Sequence, residues 1–174
     1  MIAGLERTGR GAYRSESPEA TYELGQLLGG ILAPGDTLVL TGDLGAGKTQ
    51  LTKGVAAGMG VDGPVTSPTF NIQAIHEGSD MPLYHFDLYR LDDPGQLGDA
   101  GLWDVLGGDG PCLIEWGEQF ADELGDKRLD VFVTRLDDEV AAGTEPPREV
   151  RLEPHGARAT SIAIALDRAF EMRR

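Results

Sequence analysis

Gly42-Asp43-Leu44-Gly45-Ala46-Gly47-Lys48-Thr49 is the stretch whose reading decides the fold. It satisfies G-x-x-x-x-G-K-[ST], the pattern of a phosphate-binding P-loop. Glycines let such a loop turn tightly and bring backbone N–H groups up to phosphate oxygens. Lys48 is placed to reach the β- and γ-phosphates, and the Thr49 hydroxyl to take a magnesium position. Gln50, the next residue, is assigned no role. Thr37-Leu38-Val39-Leu40-Thr41 before the loop is β-branched and apolar, which predicts a buried strand. Leu51, Val55, Ala56 and Met59 after it recur at helical spacing. Strand, glycine-rich loop and helix thus come in the order phosphate binding requires, with the positive helix end aimed at the anion.

The chain of 174 residues is long enough to bury a core as one α/β domain. No apolar run approaches the roughly 20 residues of a membrane span. No apolar h-region follows Met1, and a single cysteine, Cys112, excludes an internal disulfide. These features predict a cytoplasmic protein. The formal net charge is −14, and between Gly54 and Asp126 the only Lys or Arg is Arg90. Gripping a polynucleotide by phosphate neutralisation needs the opposite sign, so a protein partner is easier to accommodate.

Outward from the loop, residues 1–15 carry Arg7, Arg10 and Arg14 among glycines and are expected to be a mobile leader. Ser17-Pro18-Glu19 predicts a helix start, with Ser17 as N-cap and an apolar stripe running to about Ala33. Downstream of the loop, Val65-Thr66-Ser67-Pro68-Thr69-Phe70 sets hydroxyls around a proline, either as a plain turn or as a switch beside phosphates. Residues 71–75 and 83–86 predict a β-hairpin or meander, with Asp87 at the end of the returning strand. Gly101 to Leu106 suits a short helix. Pro111-Cys112-Leu113-Ile114-Glu115-Trp116 is an apolar strand ending in a carboxylate, where P-loop enzymes hold magnesium or its water shell. Residues 129–133 and 149–152 predict two more strands around a mobile acidic loop at 137–147. Residues 161–172 predict a terminal helix.

The candidate constellation is therefore Lys48, Thr49, the Thr66-to-Thr69 segment, Asp87 and Glu115. Lys48 neutralises phosphate charge, Thr49 and Glu115 set magnesium directly or through water, and Asp87 positions the attacking water or completes the metal shell. His85 pairs with Asp87 as H-x-D, but no other His or Cys has matching spacing, so a structural role is expected for it. Trp103 and Trp116 are expected as core or interface aromatics, with shielding of the site as the alternative for Trp116, beside Glu115. The guanine-reading N/T-K-x-D code is absent around Lys127. A kinase lid needs several cationic groups, and the middle of the chain offers Arg90 alone. A magnesium-dependent ATPase fits these residues; a small-molecule phosphotransferase and a nucleotide-sensing module remain the alternatives.

G-D-L-G-A-G-K-T at 42–49, S-P-T-F at 67–70, H-F-D-L-Y-R-L at 85–91 and I-E-W at 114–116 resemble the bacterial TsaE (YjeE) family. The resemblance runs from about Ser17 to Leu152. It implies a P-loop NTPase-like three-layer α/β fold, a central mixed β-sheet flanked by helices, with residues 16–174 as a single P-loop ATPase domain. It further implies a cytoplasmic ATPase, weak alone, that supports threonylcarbamoyladenosine formation in tRNAs reading codons that begin with A. The partners it implies are TsaD, which transfers the threonylcarbamoyl group, and TsaB, with tRNA engaged only indirectly and no membrane involved. ATP or ADP would be held by Gly42, Asp43, Leu44, Gly45, Ala46, Gly47, Lys48 and Thr49, with Ser17 and Arg148 as further contacts. Mg2+ would lie nearest Thr49 and Glu115; Lys48, Thr69, Asp87 and Glu115 would serve hydrolysis. The acidic charge leads to an expected outcome: in a gel-shift or anisotropy titration the isolated chain shows negligible tRNA affinity at physiological salt. Tight binding would contradict it.

Overall fold

The computed structural model describes residues 1–43, 45–68, 70–139 and 145–173. Thr37–Thr41 (β3) lies near the middle of one eight-stranded sheet. It pairs in parallel with Cys112–Glu115 (β6) on one side and Arg128–Arg135 (β7) on the other. Beyond β6 lie Pro82–Asp87 (β5), parallel to it, and Gln73–Glu77 (β4), antiparallel at that edge. Beyond β7, Arg148–His155 (β8) runs antiparallel. The sheet is mixed, as the P-loop reading implies, and the central strands are buried on both faces.

Residues 1–15 depart from the expected leader. Leu5–Gly9 (β1) and Ala12–Ser15 (β2) form a hairpin that pairs with β8 and extends the sheet to order β1-β2-β8-β7-β3-β6-β5-β4. Tyr13 anchors it. Its ring is fully buried edge-on against Phe170, and its hydroxyl donates to Asp167, which also accepts from Gly11 N. Two of the arginines that suggest a solvated arm form ion pairs on opposite faces of this hairpin, Arg7 with Glu171 of the C-terminal helix on the Tyr13 face and Arg14 with Glu139 on the other.

Period-two alternation sorts the central strands into two cores. Leu38, Leu40, Leu83 and Leu113 face the layer formed by Pro18–Gly29 (α1), Lys48–Gly58 (α2) and Ala157–Glu171 (α6). Val39, Phe86 and Ile114 face the short helices Gln96–Asp99 (α3), Leu102–Val105 (α4) and Ala121–Leu124 (α5). Helix α1 begins as predicted: Ser17 Oγ accepts from Ala20 N at 3.1 Å, and Pro18 fills the first turn. It stops at Gly29 rather than near Ala33, where Gly30 N returns to Gln26 O. Helix α6 starts earlier than expected, at Ala157.

Helices α1 and α2 cross at backbone contact because each carries glycines four residues apart, Gly25 and Gly29 on one and Gly54 and Gly58 on the other. A Cβ on Gly54 would stand 2.1 Å from Tyr22 O, and one on Gly29 would stand 2.1 Å from Val55 O. Around this crossing Leu24, Leu28, Leu51 and Val55 are buried, each worth about 1.5–3 kcal/mol. Helix propensity alone says that Gly54→Ala should stabilise α2 by about 1 kcal/mol. The clash with backbone reverses the sign, and urea unfolding should show Gly54→Ala less stable by about 2 kcal/mol. A gain in stability would contradict the packing.

Candidate active site

The parallel register sets the carboxylates. Asp87 on β5 lies opposite Glu115 on β6, and Glu115 lies opposite Leu40 on β3. Both side chains share the face of Leu83 and Leu113, so they point toward α2 at the strand ends where the P-loop leaves β3. They are buried, at 5% and 4% exposure. Asp87 Oδ1 accepts from Tyr89 N at 3.0 Å. The Ser67 hydroxyl bridges the pair, at 3.0 Å from Asp87 Oδ2 and 3.3 Å from Glu115 Oε2. Thus Thr66 and Ser67 lie beside the two carboxylates rather than in a remote turn. Leu44 and Thr69, both expected at the site, lie outside the described residues.

The P-loop is held from outside. Arg148 Nε donates to Ala46 O at 2.7 Å and its Nη2 to Gly45 O at 3.1 Å, while Nη1 donates to Pro146 O. Bonding those carbonyls to a fixed guanidinium turns the other side of each peptide, its N–H, away from Arg148. Gly42 packs directly on β7, where a Cβ would meet Val133 O at 2.4 Å. Gly47, with φ 109°, takes the left-handed conformation that starts α2, and no side chain caps the helix there. Among the described residues the N–H groups of the first turn have no side-chain partner, and the helix presents its positive end. Ser17 and Arg148 both line a small cleft with Gly47 and Gln50. The structure thus brings these two residues to the loop, Ser17 as a helix cap and Arg148 as a brace on loop carbonyls.

Lys48 is the central group. It is 6% exposed, and its Nζ has no hydrogen-bond partner among the described residues. A buried ammonium without a partner is costly and marks a place prepared for an anion. Nζ stands 3.8 Å from the ring centroid of Trp116, a cation–π contact. Trp116 reaches that position by a left-handed turn, φ 60°, directly after Glu115, a conformation costing about 1–3 kcal/mol for a bulky residue. Burial lowers the Lys48 pKa from 10.5, and the nearby carboxylates of Glu115, Glu118, Asp87 and Asp43 oppose the shift.

Thr49, at the start of α2, is exposed and shares a narrow crevice with Thr66, Ser67, His85 and Glu115. Among the described residues no group of three or more His, Cys, Asp or Glu is spaced to hold a metal ion by itself. One carboxylate and one hydroxyl beside a phosphate site suit magnesium, which keeps several waters and shares its shell with phosphate oxygens. The sequence reading missed two contacts. Ser67 joins both carboxylates, and His85 Nε2 lies 2.7 Å from Glu115 Oε2. The alternation His85-x-Asp87 on one strand face was the signal available for the second.

A central parallel strand, a braced glycine loop, a buried lysine and paired carboxylates on the flanking strands define a P-loop nucleotide-binding protein. The family profile described as "Threonylcarbamoyl adenosine biosynthesis protein TsaE" matches residues 15–142. A Bacillus subtilis (strain 168) protein named tRNA threonylcarbamoyladenosine biosynthesis protein TsaE is 41% identical over 127 residues, 73% of this chain and 79% of the relative. The Streptomyces coelicolor protein of the same name is 42% identical over 147 residues, 83% of this chain and 97% of the relative. The crystal structure of Bacillus subtilis YdiB superposes with a TM-score of 0.74 at 33% identity, covering 94% of this chain and 96% of that one. The chain belongs to the TsaE family.

The lowered Lys48 pKa has a measurable consequence. A phosphate at Nζ favours the ammonium and raises the pKa again. On the alkaline side, below 10.5, ADP binding is therefore expected to take up protons and to weaken as pH rises. Calorimetry in buffers of different ionisation enthalpy checks this; Lys48→Ala should bind without that uptake.

Proposed function

We propose that this chain is a magnesium-dependent ATPase that serves threonylcarbamoyladenosine formation in tRNAs reading A-starting codons, in partnership with the TsaD and TsaB transferase pair. The names of its relatives support the pathway, and the buried, unpartnered Lys48 ammonium carries the chemistry. ATP is the ligand that fits: the loop N–H groups and Lys48 take the phosphates, and Ser17 and Arg148 flank the loop where the nucleoside end extends. Thr49 and Glu115 would hold Mg2+, which supplies charge neutralisation at the phosphate oxygens when bound.

The residues of the chain divide the remaining work. Lys48 stabilises negative charge on the transferred phosphoryl group in a water-poor setting, where such a group is worth most. Asp87, fixed by Ser67 and Tyr89 N, orients the attacking water as acceptor of its proton. Trp116 covers the amine until phosphate displaces it. Each described arginine near the loop is already engaged, Arg148 with loop carbonyls and Arg135, whose Nη1 lies beside Gly45, with Asp137, while Arg90 stacks on the exposed Phe70 ring at 4.5 Å, which leaves a gap where an unengaged arginine would meet phosphate. Slow turnover alone and faster turnover with the transferase pair follow from that gap. The same lack of a cationic lid counts against a small-molecule phosphotransferase.

A cytoplasmic location is part of the proposal, supported by the tRNA-modification role in the names of its relatives; no helix among the described residues is long and apolar enough to cross a membrane. Residues 16–174 would act as one ATPase domain, with the β1–β2 hairpin completing its sheet. ATP hydrolysis by wild type, Lys48→Ala, Asp87→Ala and Glu115→Ala, with and without TsaB and TsaD, tests the reading. Each substitution is expected to lower turnover by about 10²–10³-fold, with ADP affinity also falling in Lys48→Ala. Unimpaired turnover in Lys48→Ala would overturn the mechanism.

A further inference from the structure

His85 stands beside Glu115, in the crevice that Thr49 also lines, and has no role given above. It is 1% exposed, in the middle of β5, with Leu113 opposite it on β6 and Ala74 opposite it on β4. An apolar residue would fill that position at no polar cost. Burying an imidazole is unfavourable unless its nitrogens are bonded. Only one of them is: Nε2 lies 2.7 Å from Glu115 Oε2, while Nδ1 is buried and has no partner among the described residues. The nearest ring, His76 on β4, is tilted at 5.7 Å between centroids, and its own Nε2 is likewise without a partner. A buried histidine can bond through one nitrogen whatever its role, so the identity of the partner is what matters. This one gives its single bond to the site carboxylate.

The direction of that bond follows from the chemistry of its ends. An ionised carboxylate only accepts, so His85 Nε2 donates. Ser67 approaches the same oxygen at 3.3 Å. Both contacts fall on Oε2, the one Ser67 proton being shared with the nearer Asp87 Oδ2, and no hydrogen bond to Oε1 occurs among the described residues. The carboxylate is therefore fixed in rotation with one oxygen engaged and the other left over.

We propose that His85 is a positioning residue for the metal: its Nε2–H locks Glu115 so that Oε1 is presented toward Thr49 and the phosphate side. The inference rests on the reading of Glu115 as a magnesium carboxylate. Outer partners that orient a ligating group commonly change metal affinity by about 10–100-fold when removed. The effect belongs to magnesium and not to the nucleotide, because among the described residues the hydrogen bond of His85 goes to Glu115 and none goes to the P-loop or Lys48.

The test compares the full-length wild type with His85→Leu, His85→Asn and His85→Gln. ADP affinity is measured calorimetrically in EDTA and across a Mg2+ titration, with the thermal midpoint of each protein recorded alongside. Gln places an amide N–H near the position of Nε2; Asn, shorter, does not. The expected result is ADP affinity in EDTA within about twofold of wild type for all three variants. The Mg2+ concentration giving half of the metal-dependent gain should rise by at least about tenfold in Leu and Asn. Gln should stay close to wild type. Should Leu fail to fold, the Asn and Gln pair alone decides. An unchanged Mg2+ requirement in Asn, equal impairment in Gln and Asn, or equal loss of ADP affinity with and without Mg2+ would overturn the role. A wild-type protein whose ADP affinity ignores Mg2+ would overturn the site reading itself and this role with it, so the two failures are told apart by the wild-type arm.

Discussion

The crossing of α1 on α2 is the constraint on which the rest depends. Four glycines let the two helix backbones touch, with peptide carbonyls of Tyr22 and Gln26 resting where side chains would otherwise stand. That contact fixes the rotation and height of α2 against the sheet. It also carries the N-terminus of α1, with Ser17, alongside Gly47. Since α2 begins at Lys48, the position of the lysine amine is set by packing contacts that lie about one to three turns along the same helix. A looser crossing, with ordinary side chains between the helices, would move Nζ off Trp116 and away from the carboxylates.

The second determinant is the parallel register of β3, β6 and β5. It aligns Leu40, Glu115 and Asp87 in one row across the sheet, so two carboxylates meet the positive end of α2 without any loop having to place them. The sheet on the other side of β3 acts as a brace. β7 excludes any side chain at Gly42, and β8 delivers Arg148 to the loop carbonyls. The site is thus rigid on the strand side, and its hydroxyl-rich segment from Thr66 is tied in through Ser67. In a protein of net charge −14, burial lowers the pKa of the Lys48 ammonium, and the carboxylates of Glu115, Glu118, Asp87 and Asp43 oppose that shift. Phosphate then meets a cation that water has already left.

Much of this was legible in the sequence because it is local. The strand, loop and helix around Gly42–Thr49 are contiguous, and the strand ending in Glu115 and the hairpin ending in Asp87 show their alternation directly. What escaped depends on partners far along the chain. Residues 5–15 look like a solvated arm because their strands are short, glycine-bounded and arginine-bearing; Tyr13 becomes a core residue only when Phe170 and Asp167 arrive from α6. Helix α1 carries an apolar stripe past Gly29, yet Ile31 and Leu32 pack after the helix has ended. His85 reads as structural until the β5–β6 register sets it against Glu115. Arg148 was expected at the nucleotide; its bonds to Gly45 and Ala46 make it first a support of the loop.

Trp116 provides the most direct view of the central claim, that the Lys48 amine is held in reserve for phosphate. With Trp103 replaced by phenylalanine, Trp116 is the sole tryptophan, and its emission reports on the ammonium stacked 3.8 Å from its ring. The account predicts a saturable change in that emission as ATP and Mg2+ are added, because phosphate draws Nζ away from the ring, and no such change in the Lys48→Ala protein. An emission that stays constant while ATP demonstrably binds, or an equal change without the lysine, would contradict it.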